Sequence, residues 1–432
     1  MFLRFGSTIR VVTTVVTFLL ASAAQPNAED WPHWRGPRLD GISLETGLLK
    51  EWPKDGPRRL WQVGLAGGFS SVAVADGRVF TQTKEGTQEV VVCLDAATGK
   101  ELWRYRYDAD YGAHATFTGG PRPDTLTGPR ATPTVDGDRV YVMGATGILA
   151  CLEAKTGKKI WQQRMLRPGG HISANPDSVF PPGEVPMHGV SSSPLVVGGR
   201  LFVAPGGPNG KTLAALDKND GRVIWQALDD AVGHASPIWA EVGGSPQLIF
   251  LTATRAVGVA PQDGRLLWRH RWKTTHDLNI ATPVYADGQV FISSNYGKGG
   301  ALLRLTNKGE PQKVWESLSM QSHFATSVLY EGRLYGFSGT RLRCVDFQTG
   351  NVLWDKIGFG MGNLIVADGK LIVLGEHGQL ALAKATPTAY TEFSRVQIFN
   401  EETLTWTVPV LSGGRLFVRH QNGLLALDLR RE

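Results

Sequence analysis

The sequence predicts an all-β fold, an eight-bladed β-propeller of four-stranded antiparallel blades whose ring is closed by an N-terminal strand. Three observations carry this expectation. A tight-turn signature occurs eight times, at Asp76-Gly77, Asp136-Gly137, Gly198-Gly199, Gly243-Gly244, Asp287-Gly288, Glu331-Gly332, Asp368-Gly369 and Gly413-Gly414, each followed by a β-rich run such as RVF, RVY or RLF. A second turn places a Gly four residues before a Trp, at Gly99/Trp103, Gly157/Trp161, Gly221/Trp225, Gly264/Trp268 and Gly350/Trp354. The repeats begin with a lone strand-like segment, Leu60 to Leu65, and end with three strands, Thr407 to Leu429, so one end supplies what the other lacks. A ring closed in this way has no open sheet edge at its seam.

The clearest blade is Ala131 to Trp161, ATPTVDGDRVYVMGATGILACLEAKTGKKIW. Short alternating, β-branched runs at Thr132 to Val135, Arg139 to Met143 and Ile148 to Leu152 are followed by a fourth strand carrying Trp161. Asp136-Gly137 fits a hairpin turn whose two central residues need positive φ. One such sheet leaves both faces bare, so it needs neighbours of its own kind. An indole at a fixed place in each sheet is suited to pack against the next. Blade five stretches the second turn, with Gly309 before Trp315, and blade seven has no Trp, leaving Phe393 as the expected substitute.

The N-terminus MFLRFGSTIRVVTTVVTFLLASAAQ has basic residues, an apolar stretch and small residues in the order of a secretory signal peptide. The expected division is a signal peptide over 1–23, a strap over 24–59 and the propeller over 60–432. No Cys precedes Cys93, so a lipid-modified N-terminal Cys is not expected, and no transmembrane segment remains after cleavage. The strap holds Trp31, Trp34 and Trp52 and shows no periodicity; three indoles would not be left in water, so it should lie across a face of the array.

The net charge is +6 with no Lys/Arg run, which argues against nucleic-acid binding. Cys93, Cys151 and Cys344 occupy equivalent places in different blades, so they should be free and buried rather than bridged. His171, Asp177, Glu184 and His188 share one loop, but their spacing fits no compact metal site. No G-x-S-x-G, phosphate loop or paired-carboxylate signature occurs.

Successive hairpin turns are 60, 62, 45, 44, 44, 37 and 45 residues apart, and the excess lies in Asp108–Arg130 and Arg167–Val190. Both are loops from a fourth strand to the next first strand, and long loops in compact domains are often functional. His114, His171, His188, His234, His276 and His323 lie in loops of this kind. Aligning the first-strand openings (ATP, SSP, ASP, ATP, ATS) puts Phe69, Arg130, Ser191, His234, Ile280, Phe324 and Trp406 at one register, where they should ring the channel mouth. The blade-five segment SSNYGKGG adds Asn295, Tyr296 and Lys298 near the same face. The candidate ligand-binding residues are Phe69, Arg130, His234, Asn279, Asn295, His323, Phe324 and Trp406. Aromatics with Arg and His suit a flat, polar or anionic ligand; the alternative is a packed plug.

The segments LDAATGKELW, LEAKTGKKIW and VDFQTGNVLW resemble the tryptophan-docking repeat of the pyrroloquinoline-quinone (PQQ)-like β-propellers, and the resemblance covers residues 60–430. The opening WPHWRGP is similar to that of exported bacterial members. Two functions are implied. One is a non-catalytic binding or scaffold module of the cell envelope, similar to the outer-membrane β-barrel assembly scaffold, with an envelope protein or a small anionic ligand as partner and no cofactor. The other is a quinoprotein dehydrogenase acting on an alcohol or sugar with PQQ and calcium. The adjacent Cys pair of the alcohol dehydrogenases is absent, and no calcium-ligating Glu/Asn pair or catalytic Asp can be matched. The first reading is preferred, with the protein exported and monomeric.

Overall fold

The computed structural model describes residues 28–109, 128–166, 188–206, 211–274, 277–306 and 309–431; the leader segment 1–23 lies outside them. Among these residues there is no helix. The strands form eight antiparallel four-stranded blades in a ring, and the seventh blade carries an additional parallel strand.

Each blade begins with a short inner strand and a two-residue hairpin. Asp76 (φ 48) and Gly77 (φ 69) both take positive φ, as do the corresponding pairs of blades four to eight. Blade two differs from its sequence reading by one residue. Asp136 pairs with Arg139 as the end of the strand, so the turn centre is Gly137-Asp138. There, as at Gly198-Gly199, only the first centre has positive φ, which is the geometry of a II′ turn.

The blades are joined by indoles. Trp61, Trp103, Trp161, Trp225, Trp315 and Trp354 each donate from Nε1 to a backbone carbonyl in the next blade, at 2.8–3.2 Å. The acceptors are Ala96, Ala154, Lys218, Pro261, Phe347 and Thr386, each at the start of the turn before a fourth strand. Five of the rings also lie flat on a glycine of that turn. A Cβ on Gly157 would sit 2.4 Å from Trp103, and one on Gly99 2.7 Å from Trp61. Glycine is therefore required twice at these positions, for its positive φ and for its missing Cβ.

Two blades depart from the pattern. Trp268 bonds Gln247 of its own sheet at 2.8 Å, because Gly258 opposite leaves room for the ring to turn inward. Gly309, in the stretched turn of blade five, has no atom within 4 Å of its Cβ position. In blade seven the docking register is held by Ser394, not Phe393, which is 40% exposed. The strap compensates: the Trp52 amide donates to Ser394 Oγ at 2.7 Å, and the Trp52 ring joins the apolar core of blades seven, eight and one.

The three cysteines are free and buried. Each lies between an aromatic of the second strand and the docking Trp of the fourth, as Cys93 does between Phe80 and Trp103. Burial pushes the Cys93 thiol up to about 12 and those of Cys151 and Cys344 to about 11, so they behave as small apolar side chains.

Arg58–Gly64 pairs antiparallel with Gly423–Asp428 and supplies the fourth strand of blade eight. The Asp428 carboxylate is held well below the usual carboxylate range, first by Arg430 and then by Arg58 at 2.6 Å across the seam. On the inner side Arg419, 1% exposed, reaches from blade eight into blade one and donates to Thr81 Oγ1 and to the carbonyls of Ser70 at 2.7 Å and Gln82 at 2.6 Å. Its burial lowers the guanidinium to about 9.

The strap crosses the channel. Trp31 exchanges both backbone bonds with Val74 at 2.8 Å, and Pro32 O accepts from Val135 N at 2.7 Å. Trp34 Nε1 donates to Thr282 Oγ1 at 3.0 Å, and Arg35 Nη2 to Ser327 O at 3.1 Å. Ile42–Ser43 then runs parallel to Asn363–Ala367, and Glu45 accepts from Gly413 N and Gly414 N at 2.7 and 2.6 Å.

Gly157→Ala is expected to lose about 2–4 kcal/mol in denaturant melts, from the clash with Trp103 and the left-handed backbone together. Gly64→Ala, with open space around it, should be near neutral. Trp61→Ala should cost roughly 3–5 kcal/mol. Deleting residues 29–65 should lower the melting temperature far more than deleting any one surface loop; a melt within a degree or two of the full chain would show that this strand does not close the ring.

Candidate functional site

The first strands converge on the channel axis, and a hydroxyl belt ties those of blades two to six together. The amide of Thr132 donates to Ser193 Oγ at 2.9 Å, Ser193 N to Ser236 Oγ at 2.9 Å, Ser236 N to Thr282 Oγ1 at 3.4 Å and Thr282 N to Thr326 Oγ1 at 3.0 Å. Ser71 Oγ donates to Val408 O at 2.8 Å between blades one and eight. This gives a use for the recurring Ser/Thr of the openings in blades three to six: the hydroxyls of Ser193, Ser236, Thr282 and Thr326 each accept the amide of the preceding blade's opening. The side chain two positions earlier in each opening is thereby set at the mouth.

Phe69, Arg130, Ser191, His234, Ile280, Phe324 and Trp406 all line one cavity of about 260 Å³, together with His188, Tyr296 and His323. Its floor is Trp34 of the strap. Blade seven gives no ring residue but holds the one from blade eight. Glu376 accepts from Trp406 Nε1 at 3.0 Å and with its other oxygen from Met361 N at 3.0 Å, while Asn363 Nδ2 donates to Trp406 O at 3.0 Å.

The two sides of the cavity differ. One is an unbroken arc of rings: Phe69 to Trp406 at 5.1 Å, Trp406 to Phe324 at 5.3 Å, Phe324 to His323 at 5.3 Å and His323 to Tyr296 at 5.4 Å. Tyr296 Oη lies 2.7 Å from His323 Nε2, and burial lowers the pKa of His323, so its ring is neutral at neutral pH. The other side is basic and polar. Arg130 Nη1 donates to His188 O at 2.8 Å, His188 faces His234 at 5.7 Å, and His234 Nδ1 lies 3.2 Å from Ser191 Oγ. Arg130 also sits 6.0 Å from the Phe69 ring, joining the two sides.

Six of the eight residues singled out in the sequence therefore meet here, and two do not. Asn279 is fully buried behind the wall, where its Nδ2 donates to the carbonyls of Thr252, Ala253 and Trp272 and its Oδ1 accepts from Ser294 Oγ. Asn295 caps its own loop by accepting from Tyr296 N at 2.8 Å. His114, His171, His276, Asp177 and Glu184 lie outside the described residues. Trp34 was not foreseen in the site. The sequence signal was present, in a Trp-rich strap that had to bury its indoles, but not the place where it would do so.

Among the described residues, no Asp, Glu, Asn or Gln side chain lines the cavity, and no group of three or more His, Cys, Asp or Glu able to hold a metal occurs. Calcium takes roughly six to eight oxygen ligands, carboxylates prominent among them. The described lining residues therefore offer no carboxylate to a calcium ion.

The family model described as outer membrane protein assembly factor BamB matches residues 53–189 and 123–356. Outer membrane protein assembly factor BamB of Yersinia pestis is 22% identical over 308 residues, covering 68% of this chain and 72% of that one. Quinohemoprotein alcohol dehydrogenase ADH IIB of Pseudomonas putida is 30% identical over 154 residues, covering 35% of this chain and 19% of the enzyme. The crystal structure of BamB from Moraxella catarrhalis superposes with a TM-score of 0.59 at 16% identity, over 87% of this chain and 98% of that one, a likeness of fold. With docking indoles joining the blades and the family model matching from the closing strand through blade six, the chain belongs to the PQQ-like β-propeller family that bears the BamB description.

Proposed function

We propose that this protein is an exported, non-catalytic propeller module of the cell envelope that holds a protein partner engaged in outer-membrane protein assembly. The observation that carries this reading is the extent of the likeness: the assembly factors match along two thirds of the chain, the dehydrogenases along a third. The site chemistry supports it, since the described lining supplies no carboxylate, either as a base or as a calcium ligand. No helix among the described residues is long and apolar enough to cross a membrane, in keeping with a module that works beside the bilayer. The leader-like N-terminus agrees with export, and the closed ring with a monomer.

The second reading, a PQQ-dependent oxidoreductase of an alcohol or sugar, draws on the stretch of 30% identity and on the aromatic cavity at the channel mouth. The two readings separate in one pair of measurements. Photo-crosslinking from the long-loop face in intact envelopes should capture a component that inserts outer-membrane β-barrels. The purified protein, supplied with PQQ and calcium, should reduce no dye over a panel of alcohols and sugars. Dye reduction with saturation by substrate, and no envelope cross-link, would reverse the assignment.

A further inference from the structure

The interface between blades four and five is built unlike its neighbours. In five interfaces an indole lies on the glycine of the next blade's second turn, and a Cβ on that glycine would meet the ring at 2.4–2.8 Å. Gly309 holds the same place in blade five and keeps the same left-handed backbone, with φ 83. Yet no atom among the described residues stands within 4 Å of its Cβ position. The indole due there is Trp268. It is turned back into its own sheet, onto Gln247, because Gly258 opposite it has no side chain. Blades three and eight carry Ala215 and Ala426 at the register of Gly258, and their indoles dock outward.

The consequence is a notch of about 590 Å³ on the hairpin side of the ring, away from the channel mouth. Gln247, Ala260, Leu267 and Trp268 of blade four and Thr306 and Gly309 of blade five line it. Ala260 and Leu267 lack the ring that would cover them, and side chains beside an unfilled space forfeit dispersion contacts. The five filled interfaces define the missing part as a flat bicyclic ring laid on a glycine. The volume exceeds that of one ring, so chain on either side of the indole can be seated as well. None of the thirteen tryptophans of this chain is exposed, so a second copy has no indole to offer.

We propose that this notch receives a tryptophan side chain of a partner protein, its ring laid on Gly309 as the chain's own indoles lie on Gly99, Gly157, Gly221, Gly264 and Gly350. The identity of the partner rests on the protein-holding reading above; the seat does not. Peptide binding tests the seat, and the envelope cross-link tests the reading, so failure of one is distinguishable from failure of the other.

The test is an NMR titration of the full mature protein, following backbone amides, with capped Gly-Trp-Gly, capped Gly-Leu-Gly and free indole. Gly-Trp-Gly should shift the Gly309 and Ala260 amides with saturation and leave that of Gly157, already under Trp103, in place. Gly-Leu-Gly and free indole should each bind at least roughly fivefold more weakly, the first for want of aromatic area and the second for want of flanking chain. Gly258→Ala places a Cβ where the Trp268 Nε1 now lies, only 2.1 Å away, and so drives that ring outward onto Gly309. The variant should melt no lower than the parent and lose peptide binding by at least roughly tenfold. Removing the ring as well, in Gly258→Ala with Trp268→Ala, should restore binding, with circular dichroism establishing that each variant is folded. Sedimentation should show no self-association that depends on Gly258. No shift at Gly309, equal binding of Gly-Leu-Gly or of free indole, a dimer abolished by Gly258→Ala, or peptide affinity unchanged in folded Gly258→Ala would overturn the proposal.

Discussion

The structure depends on one pairing: the strand Arg58–Gly64 against Gly423–Asp428, sixty residues from one end of the chain meeting the other. A four-stranded blade has two apolar faces, and an open row of blades would leave one such face bare at each end. The pairing removes both at once. It also sets Trp61 to dock on Ala96, so blade eight meets blade one by the same indole contact as most other neighbours. Arg419 reinforces the seam from the channel side, taking carbonyls from blade one that face no strand partner there. A fully buried guanidinium with no carboxylate beside it is costly, and its place at the seam shows where the ring most needs fixed geometry.

From closure follows the site. Only a closed ring brings all its first strands to one axis, and the hydroxyl belt from Thr132 through Ser193, Ser236 and Thr282 to Thr326 ties those of blades two to six together. Arg130, Ser191, His234, Ile280 and Phe324 are carried on that belt, and Phe69 and Trp406 on the strands joined by Ser71 and Val408. Blade seven is the exception that shapes the cavity. Its approach to the axis is short and supplies no ring side chain, so the indole of Trp406 spans from Phe69 on one side to Phe324 on the other, with Glu376 of blade seven fastening it. The aromatic and basic halves of the cavity are thus a consequence of one irregular blade in an otherwise repeating ring.

Fold and ring register were legible in the sequence because they repeat. Eight hairpin signals and a recurrent Gly–Trp spacing constrain each other, and an error in one copy leaves the others intact. Even the misplaced turn at Gly137-Asp138 shifted nothing beyond itself. What could not be read was whatever occurs once. Phe393 is the nearest aromatic to the docking position of blade seven, but strand register puts Ser394 there, and the missing indole comes from Trp52, more than three hundred residues away in sequence. Asn279 sits beside the ring register, yet three carbonyls behind the wall claim its amide. Trp34 forms the floor through a path across the channel that no local pattern encodes.

Native-state amide hydrogen exchange tests the central claim, that the N-terminal strand is an integral part of a closed ring. Exchange free energies reach the global value only for segments that open with the whole structure. The account predicts that the amides of Trp61 to Val63 and those of Leu424 to Leu427 share one protection level, equal to that of the second and third strands of blades one and two. Exchange of Trp61 to Val63 well below that level, with Leu424 to Leu427 also exposed, would mean that the strand detaches on its own and that the ring stands without it.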